Sequence, residues 1–212
     1  MNNLWKRALW TLLGVIMFAG LSLIDEHEIV RLAEEFLGVH LEWMAPYRLS
    51  LGFLLVPAFA YIFGAVSAAL VGSLGLLVYW VLYDHLDWEW FLQFLPRMLG
   101  MALGAAALGL ALGALFRVAR QWEGRWVRLL LSLAAAVVAC ALGLWLVTSL
   151  VDTQLLGYSL QMALRRTQTW ALQNGALVLL GVPVGMALSP QLRKAVPAPD
   201  AAEDFIDNGK EE

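Results

Sequence analysis

The chain has 212 residues, 61% of them hydrophobic and only 15% charged, with a mean hydropathy of +0.71. A soluble domain is close to half apolar and a quarter charged, so this composition excludes a water-soluble fold and points to a chain spent on membrane spans of roughly 20 residues each. The net charge of −3 says little, because charges in a membrane protein act by location, and no nucleic-acid partner is expected.

The first apolar run, Ala8–Ile24, follows Lys6 and Arg7 as a signal peptide would. It lacks a small-x-small cleavage site before Asp25 and is read as a retained span. Asp25 to Tyr47 is rich in acid, with Ile29, Leu32, Ala33, Phe36 and Leu37 at helical spacing. That pattern predicts an amphipathic helix lying on the membrane surface.

The next two runs, Leu49–Phe63 and Ala65–Tyr83, would together make roughly 54 Å of helix, nearly twice a ~30 Å hydrocarbon core. A tight hairpin at Gly64 resolves the mismatch. The DHLDWEW loop, Asp84–Trp90, follows; tryptophan prefers the headgroup level, and ten tryptophans suit interfacial belts. His85 with Asp84, Asp87 and Glu89 has metal-ligand chemistry, but such a cluster at a loop surface is usually solvated, and no metal is expected.

The fourth run, Phe91–Phe116, contains two GxxxG pairs, Gly100 with Gly104 and Gly109 with Gly113. Small residues four apart make a flat helix face for close packing, either within the bundle or on a partner. The fifth run, Val127–Val151, holds the single cysteine, Cys140, read as a small buried hydrophobe. The sixth, Trp170–Leu188, is entered by Arg165-Arg166-Thr167-Gln168-Thr169 and carries Gln173 and Asn174 on the face of Trp170. Trp88, Trp90, Arg97, Trp170, Gln173 and Asn174 form a polar–aromatic grouping near one membrane face, and are the candidate residues for binding a small molecule; headgroup anchoring and interhelical bonding are the structural alternative.

The expected fold is therefore all-α: a bundle of six transmembrane helices over residues 1–190, then an acidic, disordered tail over 191–212. Nine of the 14 lysines and arginines, with a cluster at Arg117–Arg128, fall on the side of both termini. By the positive-inside rule that side is the cytoplasm, and the expected location is a bacterial inner membrane. No histidine lies inside a run, and no phosphate-binding glycine motif or H-E-x-x-H is present. Neither catalysis nor a cofactor is expected. Asp, Glu and Lys are absent from Leu49 to Tyr83 and from Arg128 to Val151, which speaks against a proton- or sodium-coupled transporter.

The segment RLSLGFLLVPAFAYIFGAVSAALVGSLGLLVYWVL, Arg48–Leu82, resembles the second and third helices of the substrate-binding S components of energy-coupling factor (ECF) transporters. The matching positions are Arg48, Ser50, Phe53, Pro57, Phe63, Gly64, Ala69, Gly72 and Leu74. Ala65 stands where the family often has proline, Leu76 where it often has aspartate, and the first run lacks the small residues four apart with which the family docks. The resemblance implies a non-catalytic subunit that captures a vitamin-like micronutrient, with a transmembrane coupling subunit and ATPase subunits as partners besides the membrane lipids. The competing expectation is a membrane scaffold of a larger envelope complex, with no small ligand.

Overall fold

A computed structural model describes residues 3–24, 50–83 and 88–195. Among the described residues the chain is helical throughout and has no strand. The helices are α1 (Asn3–Ser22), α2 (Leu55–Ile62, entered through a 3₁₀ turn at Leu51–Leu54), α3 (Ala65–Tyr83), α4 (Trp88–Arg120), α5 (Arg125–Cys140), α6 (Thr148–Leu156) and α7 (Leu160–Ala195), with a π-helical segment, Ala141–Val147, joining α5 to α6. Among the described residues, four helical stretches are long and apolar enough to cross a membrane: Ala65–Leu82, Leu92–Arg120, Arg125–Leu156 and Leu160–Pro190. The chain is a membrane-embedded helical protein.

The remaining two apolar runs give shorter or less apolar helices. Leu51–Ile62 rises roughly 18 Å, well short of a ~30 Å core. Helix α1 begins at Asn3 and so includes Lys6 and Arg7 in its first turns. Helix α7 begins at Leu160, ahead of the predicted run, and places Arg165 and Arg166 on a helix rather than in a loop. The predicted surface helix over 25–47, the loop residues 84–87 with His85, and the tail beyond Ala195 lie outside the described residues.

Glycine sets the helix directions. Gly64, at φ 91°, stands between α2 and α3, a left-handed position that favours a residue without Cβ. Gly52 of the entry to α2 and Gly75 of α3 both lie against the ring of Phe18, and Gly14 lies against Phe59 and Val71. Helix α1 is thus antiparallel to α2 and parallel to α3. Gly109 and Gly113 of α4 meet the backbones of Ala68–Ala69 and Ala65 on α3, whereas Gly100 and Gly104 meet Asp152 and Thr148 on α6. The two GxxxG pairs therefore serve two different neighbours inside the bundle. Gly181 and Gly185 of α7 seat on Leu54 and Ala58, so α7 runs alongside α2 in the same direction.

The core fills the space between these close approaches. Phe18, Phe53, Val56, Val71, Leu108, Leu112, Phe116 and Leu144 are fully buried. Phe53 links two helices, with edge-on rings at 5.3 Å to Phe18 and 5.8 Å to Trp170. Large apolar side chains such as Leu103, Leu130, Leu172 and Leu180 are more than half exposed, as expected of helix faces turned to hydrocarbon.

Candidate functional site

Three helix segments meet at the bundle end opposite Gly64: the start of α4, the end of α6 and the start of α7. The π-helical segment sets what α6 presents there. A π turn adds a residue to the helical repeat and rotates everything after it, which is why such turns recur at functional sites. Gly143, inside it, lies against the backbone of Gly104 and Leu108, so the distorted segment is clasped by α4.

Beyond that segment α6 carries Thr148, Ser149 and Asp152 on one buried face; Asp152 is only 3% exposed. Ser149 donates to Trp145 O at 2.6 Å and shares a 2.5 Å hydrogen bond with Thr167 of α7. Trp145 Nε1 donates to Leu164 O at 3.0 Å, a second tie to α7. Asp152 Oδ1 accepts no hydrogen bond from any described residue. The guanidinium groups of Arg97 on α4 and Arg166 on α7 lie within electrostatic reach of it, and Arg166 also stands over the Tyr158 ring at 4.8 Å. A buried carboxylate normally has its oxygens filled by donors; Asp152 Oδ1 instead packs against Gly100, with two guanidinium groups in electrostatic reach and no donor among the described residues.

The candidate residues named from sequence divide between two places. Arg97 belongs to the Asp152 cluster. Trp170, Gln173 and Asn174 are buried deeper along α7. Asn174 Oδ1 accepts from the Ser50 N–H at 2.9 Å and its Nδ2 donates to Trp170 O at 2.9 Å, so it caps the entry to α2. Ser22 works beside it, accepting from the Gly52 N–H at 3.2 Å and bonding Ser50 Oγ at 2.5 Å. Trp88 and Trp90 open α4, and their side chains lie outside the described residues. Gly100, named for packing, lies beside the new site: a β-carbon there would stand 2.6 Å from Asp152 Oδ1.

Asp152, Ser149 and Arg166 were not among the sequence candidates. The fifth apolar run ends at Val151, one residue short of Asp152, and a polar residue at the edge of a run reads as interfacial. The signal available was the spacing Thr148, Ser149, Asp152, which repeats polar groups along one helix face.

Below the cluster, an apolar groove of about 370 Å³ runs between α5 and α7, lined among others by Cys140, Ala141, Trp145, Gln168 and Gly175. Cys140 is half-buried there, with Gly175 against it. No family model, curated protein or solved structure matches the chain.

Proposed function

We propose that this chain is the membrane-embedded substrate-binding subunit of an ATP-driven micronutrient importer of the ECF type, non-catalytic itself, working with a transmembrane coupling subunit and ATPases. In this reading α1 and α2, with their flanking residues, complete six spans, the Gly64 end faces the cytoplasm of a bacterial inner membrane, and the Asp152 end faces outward. Two things support it: the resemblance of Arg48–Leu82 to S-component helices, and the chemistry of the Asp152 cluster. The carrying observation is the buried Asp152 Oδ1, which accepts no hydrogen bond from a described residue, with Arg97 and Arg166 from two other helices in electrostatic reach. An acceptor with two cations near it suits a small polar molecule bearing both a donor and an anionic or carbonyl edge.

The test is native mass spectrometry of the detergent-purified chain, followed by a vitamin panel. The expected result is a retained small molecule, lost by roughly tenfold or more in Asp152→Asn and Arg97→Gln, as befits a buried charge-assisted bond worth on the order of 1.5–3 kcal/mol. A chain that holds no small molecule across the panel and co-purifies with envelope proteins instead would be a scaffold.

A further inference from the structure

The opposite end of the bundle holds a cavity of about 390 Å³ that the reading above does not use. Its wall is built by α1 (Arg7, Thr11), the Gly64 junction with the first turn of α3 (Ala65–Ser67), and the end of α4 (Gly113, Arg117, Arg120). Three arginines, Arg7, Arg117 and Arg120, thus line one cavity from two helices.

Each group arrives for a structural reason. Gly113 lies against the Ala65 backbone, which draws the last turns of α4 over the start of α3. Thr11 donates to Ser67 Oγ at 3.0 Å, which sets α1 and Arg7 on the other side. Arg120 donates to Ala60 O at 3.4 Å and lies over the Tyr61 ring at 4.9 Å. The first backbone bond within α3 is donated by Ala68 to Gly64 O at 3.2 Å, so the N–H groups of Ala65, Val66 and Ser67 precede the helical ladder and are donors facing the same space.

We propose that this cavity binds the phosphate group of an anionic membrane lipid. Planar guanidinium forks and backbone N–H groups match phosphate oxygens. The wall itself argues for a lipid rather than a soluble phosphate: Val66, in the lining, is 66% exposed, and Ala8 beside it is exposed as well. The cavity thus borders exposed apolar side chains that a lipid's acyl chains can cover.

The experiment takes the full chain, delipidated in detergent, and adds phosphatidylglycerol, phosphatidylcholine or inorganic phosphate, with binding read by native mass spectrometry. Phosphatidylglycerol should bind the wild type in preference to phosphatidylcholine, and should be lost at least about tenfold in Arg7→Gln/Arg117→Gln. Arg120 is left in place because it holds Ala60. The charge-keeping Arg7→Lys/Arg117→Lys variant should retain most of the binding, which separates lost charge from lost folding. Equal binding of the two lipids, or equal retention by the glutamine variant, would overturn the proposal. Displacement of phosphatidylglycerol by inorganic phosphate at equal concentration would overturn the lipid as the source.

Discussion

At Gly100 a β-carbon would clash with the carboxylate end of Asp152, 2.6 Å away, and otherwise make ordinary contact with Val151, whereas at Gly109 and Gly113 it would fall on the backbone of α3. A side-chain end can swing aside; a packed backbone cannot. Gly100→Ala should therefore cost little stability, within about 1 kcal/mol, because alanine regains up to ~1 kcal/mol of helix propensity. Gly109→Ala should cost on the order of 1–3 kcal/mol through overpacking. Thermal unfolding in one detergent checks the order, and equal melting temperatures would show that the α3–α4 contact is looser than described. Because Gly100→Ala displaces the Asp152 carboxylate, it should also weaken whatever small molecule the Asp152 cluster holds. Asn174→Ala belongs to the stability class: it leaves the buried Ser50 N–H without its acceptor, a loss of ~1–3 kcal/mol.

Among the elements, the π-helical segment Ala141–Val147 does most to set the site. It shifts the helical phase between α5, which packs its Ala136–Ala139 face inward, and α6, which turns Ser149 and Asp152 inward. Deleting Leu142, whose side chain is exposed, should restore an α-helical repeat and rotate α6 by roughly 100° relative to α5. The protein should still insert, since the span stays long and apolar, but Asp152 should leave the interior and small-molecule retention should fall with it. Membrane fractionation and native mass spectrometry of the deletion read the two effects separately. Unchanged retention would mean that α6 keeps its phase by other contacts. The GxxxG pairs carry a related lesson. Gly100 and Gly109 are nine residues apart, or about half a turn in phase at ~100° per residue, so the two pairs occupy opposite faces of α4 and need two partners.

For the whole molecule, the alternating directions of the helices put the start of α1, Gly64 and the end of α4 at one end, and the end of α6 and start of α7 at the other. If the arginine-rich end is cytoplasmic, as the positive-inside rule predicts, an impermeant thiol reagent should label a cysteine placed at Asp87 in intact cells. It should miss one placed at Gly124, both in a Cys140→Ala background. The reverse pattern would invert the protein and turn the Asp152 cluster toward the cytoplasm.

Membrane residence was legible in the sequence because hydropathy is a local sum over a bilayer-sized window, and Ala65–Leu82 or Arg125–Leu156 needs no partner to be recognised. The break at Gly64 was legible for a similar reason: two runs of that combined length cannot lie in one straight span. The faces were not. Whether Asp152 is buried depends on a π turn that hydropathy does not register, and whether Asn174 meets a ligand or the Ser50 backbone depends on which helix α7 lies beside. Arg97 and Asn174 were grouped by their nearness to one end of the bundle. The tertiary structure separates them, because helix rotation decides which neighbour a side chain meets, and rotation is set by glycine contacts between residues far apart in the chain.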